Sequence, residues 1–331
     1  MTTVESKWLG INRLNYSLAF SYSMLGFVRG KNMENTQKLL YSQKIKEFTS
    51  KLVVNNNYLP LNPPKISIVT VSFNQAEFLE RMILSVINQG YENVEHIVID
   101  GGSTDGSVDI LKKYDSYISF WCSESDRGQT HGINKGLALA TGDLVAFQNS
   151  DDVYLDGTFY SVAKSFRAND DVDLVYGNFL HINQDDDVLD ESLLGTAWLW
   201  VQLFLGPQVH NQSAFWNINL FKEIGYLDES YDFCMDYEFF SRIMNTNPKI
   251  IFLSQYLGAF RHHGNSKTSN LQDVSKRELA AVSNLYISKN RFLSLMPKKI
   301  MCKIAKIVKA SKHILDGRAD YIFRRRFNFK G

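Results

Sequence analysis

Between Lys65 and Gln148, short apolar runs alternate with segments whose apolar residues recur every three to four positions. The runs ISIVTV (66–71), VEHIVI (94–99), YISFWC (117–122) and LVAFQ (144–148) are rich in β-branched and aromatic residues, which predicts buried strands. Between the first two, Phe78, Leu79, Met82, Ile83, Val86 and Ile87 fall in pairs four residues apart. That spacing predicts a helix over 77–89 with one buried face. Shorter helices are predicted over 107–114 and 129–140, the latter with Ile133 and Leu137 on one side. Strand alternating with helix requires parallel strands and right-handed crossovers, so the fold class is α/β with an open, mostly parallel sheet flanked by helices. Beyond about residue 178 the pattern loosens into a hairpin, FLHINQDDDVLDES, and then a mixed region to about 270. The stretch NNNYLPLNPPK, before Lys65, reads as a loop.

Polar residues cluster where the strands end. Ser72, Phe73, Asn74 and Gln75 follow the first run, and Asp100 to Gly106 (DGGSTDG) the second. SESDRG, Ser123 to Gly128, follows the third, and Ser150, Asp151 and Asp152 follow the fourth. Ligands of open α/β sheets bind beyond the carboxyl ends of the strands, so four such clusters in succession describe a lined crevice. Ser and Asp in DGGSTDGS also suit turn formation and capping of the next helix. Asp100, directly at a strand end, is placed to accept hydrogen bonds from a base or ribose. Neither GxGxxG nor GxxxxGK[ST] occurs, which excludes the dinucleotide fingerprint and the P-loop. Arg127 suits either a surface ion pair or a diphosphate. Gly132 and Gly136 leave one helix face without side chains, for close packing or for a ligand. Asp151 and Asp152 repel each other at the end of a buried strand. A hard divalent cation, Mg²⁺ or Mn²⁺, shared with substrate phosphates would neutralise them.

In order along the chain, ISIVTVSFNQAEFLERMILSVINQ, HIVIDGGSTDGSVDIL, ESDRGQTHGINKGLALATGDLVAFQNSDD and LDESYDFCMDYEFFSRI resemble the family 2 glycosyltransferases, over roughly residues 65–265. The resemblance implies a GT-A fold, Rossmann-like in its nucleotide-binding half. It implies an inverting, metal-dependent transfer of a hexosyl or N-acetylhexosaminyl group from a nucleotide-diphosphate sugar, with UDP-sugars favoured. The expected acceptor is a saccharide or lipid-linked saccharide in surface polysaccharide synthesis. Thr70, Ser72, Asn74, Asp100, Gly101 and Ser103 would line the nucleotide pocket, with Asp100 on the base. Arg127 would lie against ribose or diphosphate. Asp152 would be the main ligand of Mn²⁺ or Mg²⁺, helped by Asp151, which also lies near the ribose, and by His263. Asp236 would be the catalytic base, which sugar transfer with inversion requires opposite the departing diphosphate. Asp236 also suits a helix N-cap, and Glu238 ranks below it as base. His210 and Gln212 are candidate acceptor contacts. The division implied is an N-terminal extension at 1–64, a nucleotide-binding half at 65–152, an acceptor half at 153–270 and a helical C-terminal extension at 271–331.

Composition changes the picture at one end only. With 44% hydrophobic and 21% charged residues among 331, the chain has the make-up of a soluble globular protein. Cys122, Cys234 and Cys302 are widely separated, which encodes no disulfide framework or zinc site and suits a reducing cytoplasm. No signal peptide opens the chain and no apolar run is long enough to span a bilayer. From Lys289 to Gly331, however, 13 Lys and Arg stand against two Asp, a charge of +11 facing a body of −10. Over 297–315, Ile300, Ile304, Ile307, Val308, Ile314 and Leu315 share one arc, with lysines on the other side and Arg324, Arg325 and Arg326 beyond. Such a helix either lies on an anionic membrane at the inner face or packs on the catalytic domain. Nucleic-acid binding has no motif to support it. Two rival functions remain open. A sugar-1-phosphate nucleotidyltransferase calls for a basic Gly-rich loop where SFNQAEFLER stands. A non-catalytic carbohydrate-binding relative would be expected to lack Asp152 or Asp236.

Overall fold

Strand β1 (Ile66–Ser72) is buried along its whole length, because it lies between two parallel neighbours, β2 (Val94–Asp100) and β4 (Leu144–Asn149). The computed structural model describes residues 33–53, 62–169, 171–264, 267 and 271–316. Residues 33–309 form one compact unit. Residues 310–316 belong to a second unit. Most of the N-terminal extension and the tail with Arg324, Arg325 and Arg326 lie outside the described residues.

Within the first unit, helix α1 (Asn35–Ser50) precedes β1. Helices α2 (Ala76–Ile87), α3 (Ser107–Lys113) and α4 (Gln129–Leu139) follow the first three strands, the third being the short β3 (Phe120–Ser123). The alternation of strand faces divides the layers. Val69, Val71, Ile97 and Ile99 meet Ile133 and Leu137 of α4, whereas Ile66 and Ile68 meet Met82 and Val86 of α2. Gly136 serves packing, since a methyl group there would lie 2.3 Å from a Val69 methyl.

The acceptor half adds β5 (Val153–Tyr154), α5 (Thr158–Arg167), β6 (Leu174–Ile182), β7 (Val188–Ser192), α6 (Leu199–Leu205), β8 (Ala214–Asn217), α7 (Leu220–Ile224), α8 (Met235–Asn245) and β9 (Ile250–Arg261). The expected hairpin is β6 and β7, paired antiparallel. The described residues form a nine-stranded sheet in the order β3-β2-β1-β4-β8-β6-β9-β5, with β7 on β6. Strand β8 runs antiparallel to both β4 and β6, so the sheet is mixed beyond its parallel nucleotide-binding half. The twelve-residue β9, which the hydropathy pattern did not isolate, pairs parallel with β6 and antiparallel with β5.

Helices α9 (Gln272–Lys289), α10 (Arg291–Leu295) and α11 (Lys298–Leu315) close the described chain. Val282, Tyr286, Leu293, Met301 and Ala305 bury against Val201, Leu203 and Phe204 of α6 and Tyr237 of α8. The C-terminal helices up to Lys309 are therefore part of the same unit as the sheet.

Candidate active site

Two loops at the ends of β1 and β2 are zipped together by short polar side chains. The Asn74 backbone N–H donates to Ser103 Oγ at 2.7 Å, and Thr104 N–H returns a bond to Asn74 Oδ1 at 2.9 Å. Asp105 accepts from Ala76 N–H and from both the N–H and the hydroxyl of Ser107. Asn74 adopts a left-handed φ of 51°, which asparagine tolerates better than most residues. Asp100 is fully buried. Its carboxylate accepts Gly102 N–H, Ser103 N–H, Ser103 Oγ–H and Ser123 Oγ–H, between 2.6 and 3.1 Å. These side chains shape the crevice by binding one another.

Other predicted residues fall in different settings. Thr70 is a correction: it lies inside β1 with no exposure, and its hydroxyl meets His96 Nε2 at 3.0 Å and Met82 Sδ at 3.2 Å. Alternation along the strand turns it into the α2 layer. Ser72, two residues on, has a buried hydroxyl without a partner at the mouth of the crevice. Arg127 forms the surface ion pair, 2.8 Å from Glu229, with both side chains largely in solvent. Gly101 opens a notch lined by Asp126 and Phe73.

The adjacent aspartates stand in different settings, Asp152 buried and Asp151 partly exposed. Asp152 is 0% exposed, and its oxygens accept the Arg261 backbone N–H at 2.9 Å and Gln212 Nε2–H at 2.9 Å. Burial, and then the charge of Asp151, raises its carboxyl well above the usual range. Asp152 thus ties the end of β4 to β9. Asp151 keeps some exposure, and its Oδ2 lies 2.9 Å from His263 Nε2. His263 is set by its ring, which packs 4.7 Å from that of Phe78. Arg261, also fully buried, holds the segment from behind. Its Nε donates to the Asp151 carbonyl at 2.7 Å and its guanidinium pairs with Asp186 at 2.6 Å. Gln212, a candidate acceptor contact, is therefore committed to Asp152. His210 is packed on Phe179 at 4.8 Å, and burial lowers its pKa to about 3.

Asp236 stands in the first turn of α8. Burial pushes its carboxyl up to about 6, against the bond its Oδ1 accepts from Tyr237 N–H at 2.7 Å. Glu238, two residues on, is taken up by Arg242 at 2.6 Å and by Tyr286 Oη at 3.1 Å. Asp236 is not the N-cap of the helix, a position that Cys234 holds. Glu278 of α9 supports the turn ahead of the helix, accepting the N–H groups of Asp232, Phe233 and Cys234 between 2.8 and 3.0 Å. Sequence reasoning missed Glu278, and no local signal marks a support that arrives from more than forty residues away. Lys267 Nζ donates to the Asp232 carbonyl at 3.2 Å and lies within electrostatic range of Asp232, Glu278 and Asp126.

The parallel half with polar loops at its strand ends, continued by a mixed sheet, is the architecture of the GT-A fold. Residues 67–222 match the family described as Glycosyl transferase family 2. A Mycobacterium tuberculosis protein, named an uncharacterized glycosyltransferase, is 33% identical over 183 residues, 54% of this chain and 68% of its own. A Campylobacter jejuni GalNAc(5)-diNAcBac-PP-undecaprenol beta-1,3-glucosyltransferase is 32% identical over 121 residues, 35% of this chain and 38% of its own. Of solved structures, S. aureus TarS in complex with UDP-GlcNAc has a TM-score of 0.56 at 18% identity, covering 72% of this chain and 69% of that one. The chain belongs to the family 2 glycosyltransferases and is a glycosyltransferase.

Proposed function

We propose that the protein transfers a hexosyl or N-acetylhexosaminyl group, with inversion, from a UDP-sugar to a saccharide or lipid-linked saccharide in surface polysaccharide synthesis. The observation that carries this reading is the presence of two acidic centres on separate elements. Asp151 stands with His263 at 2.9 Å where β4 and β9 end, and Asp236 stands at the head of α8. Transfer with inversion needs a base on the acceptor hydroxyl and charge stabilisation on the leaving diphosphate. A carboxylate held near pH 6 by burial is matched to the first task.

The donor set of Asp151 and His263 suits Mn²⁺ or Mg²⁺. Among the described residues no group of three or more His, Cys, Asp or Glu is arranged to hold a metal ion. A two-ligand site fits a cation that takes its other oxygens from diphosphate and water. Such an ion supplies electrostatic stabilisation of the leaving group. Asp151 and His263 would hold it, while Asp152 and Arg261 keep that segment in place. The UDP-GlcNAc in the TarS complex supports the choice of donor, and the undecaprenol-linked acceptor in the Campylobacter relative's name supports the choice of acceptor.

We also assign the basic C-terminal region to an anionic membrane surface. No helix among the described residues is long and apolar enough to cross a membrane. Helix α11 docks on the core through Met301 and Ala305, yet Ile300, Ile304 and Ile307 remain exposed beside its lysines. Phe292 and Leu295 of α10 add to that face at 68% and 76% exposure. Apolar side chains interleaved with lysine suit the headgroup boundary.

The test is turnover of a UDP-sugar panel with Mn²⁺ and with EDTA, followed by NMR of the product anomer. Metal-dependent transfer with inverted configuration is expected. Full turnover in EDTA would remove the metal, and retained configuration would remove the base.

A further inference from the structure

Helix α4 is bonded next to both acidic centres of the proposed function. In its first turn Gln129 Nε2 donates to Asn149 Oδ1 at 2.6 Å, at the end of β4 and just ahead of Asp151. Further along, Asn134 grips Leu227 with both ends of its amide. Its Nδ2 donates to the Leu227 carbonyl at 2.9 Å, and its Oδ1 accepts the Leu227 N–H at 3.0 Å. Thr130, one turn earlier, brings its hydroxyl to 3.5 Å from the Tyr231 carbonyl. Leu227 is buried. It opens the segment 227–234, which forms neither helix nor strand and leads directly into α8 and Asp236. Buried backbone groups outside regular structure need partners from side chains. Asn134 supplies them at the head of this segment, as Glu278 does at its foot.

The opposite face of α4 is seated on the nucleotide-binding half. At about 3.6 residues per turn, Gly132 and Gly136 lie across the helix from Thr130 and Asn134. A methyl group on Gly132 would lie 3.3 Å from a Val71 methyl, and one on Gly136 2.3 Å from a Val69 methyl. The glycines let α4 close down on β1, while Asn134 reaches from the other face to the acceptor half. One rigid helix thus carries a contact to each half.

We infer that Asn134 is a positioning residue for sugar transfer: through Leu227 it sets where Asp236 stands relative to the donor crevice. The inference rests on the reading of Asp236 as the base. A base works only within hydrogen-bond reach of the hydroxyl it deprotonates, and a misplacement of about 1 Å can cost about 10²-fold in rate. A segment without regular structure does not hold such a tolerance by itself. A two-point contact to one residue's N–H and carbonyl fixes its orientation as well as its distance.

The experiment is a double-mutant cycle on the full chain with Mn²⁺, combining Asn134→Leu with Asp236→Asn. It reads UDP release from UDP-GlcNAc, or from whichever UDP-sugar of the panel wild type consumes fastest, together with the UDP dissociation constant. Asn134→Leu is expected to lower kcat by about 10- to 100-fold and to leave the UDP dissociation constant within about twofold. In the Asp236→Asn background the same substitution should lower kcat by less than about twofold, because residues that act through one another are not additive. A merely structural role would give the same fold loss in both backgrounds. Asn134→Gln keeps both polar groups but displaces them by one methylene. It should lower kcat less, with the same disappearance in Asp236→Asn, and it carries the test if Asn134→Leu does not fold. An unchanged kcat, equal losses in the two backgrounds, or UDP binding that weakens as much as kcat falls overturns the inference and leaves Asp236 as the base. Wild-type turnover by Asp236→Asn, or no turnover of any UDP-sugar by wild type, overturns the base reading and the inference together.

Discussion

The nucleotide-binding half and the acceptor half solve the same problem, holding polar groups at the ends of a sheet, by opposite means. In the first, Asn74, Asp100, Ser103, Asp105 and Ser107 are short side chains bonded to backbone within their own loop or the adjacent one. In the second, and where it joins the first, the supports come from afar: Arg261 behind Asp151, and Glu278 on α9 beneath the turn that leads to Asp236. Locally bonded loops are set once the strands pair. A remotely supported segment is set only when the whole chain has closed, and a single substitution at its support is felt at the candidate base.

The largest effect that can break this contrast is at the base itself. Asp236→Asn should lower kcat by about 10²-fold or more, in the range for loss of general acid–base catalysis, with UDP affinity unchanged. Equal loss of UDP binding in titration calorimetry would put Asp236 on the donor side instead. The pH dependence follows from its raised pKa. The carboxylate must be ionised to accept a proton, so kcat/KM should fall as pH drops through about 6. Stability runs the other way. Between the usual carboxylate range and about 6 the folded chain keeps a proton that the unfolded chain releases, so this group's stabilisation declines as pH rises through that window.

The second test sets the two aspartates against each other. Asp151→Asn should abolish the extra thermal stabilisation that Mn²⁺ adds to UDP, leaving the melting temperature of the free protein nearly unchanged. Asp152→Ala should do the reverse first. It strands the Arg261 N–H and the Gln212 amide, each costing about 1–3 kcal/mol when buried without a partner. A stable Asp152→Ala protein that has lost only its metal response would return the principal metal role to Asp152.

Glu278→Ala is a smaller perturbation of the same kind. Three N–H groups lose their acceptor, and kcat should fall several-fold while the UDP dissociation constant holds. If UDP binding and kcat fall together, the support is general and not particular to the acceptor side. The smallest effect concerns the membrane face. Replacing Phe292, Leu295 and Ile307 together by Ser should reduce co-sedimentation with anionic vesicles and leave UDP binding unaltered. Recovery of the wild-type protein in the supernatant at low salt would end that assignment. Truncation after Ser288 is a poor substitute, because it would uncover the α6 surface that Leu293, Met301 and Ala305 bury.

Much of the nucleotide half was legible because its information is local. Continuous apolar runs and period-four hydrophobicity placed β1, β2, β4, α2 and α4 within a residue or two, and the polar clusters marked the strand ends. Thr70 came from the resemblance, which does not say which face of the strand its side chain joins, and here that face is the α2 layer. Strand β9 escaped because its half-buried first part and its buried end obey no single period.

By itself the sequence determined the order of strands and helices, the positions of the crevice loops and the family. Those follow from periodicity and from residue types whose preferences act over a few positions. Tertiary structure alone decided which of two adjacent aspartates is buried, which layer Thr70 joins, and which helix supports the turn before Asp236. Each of those outcomes depends on desolvation and on partners 60 to 110 residues away for Asp152 and more than forty for Cys234, and such terms exist only once the chain has folded.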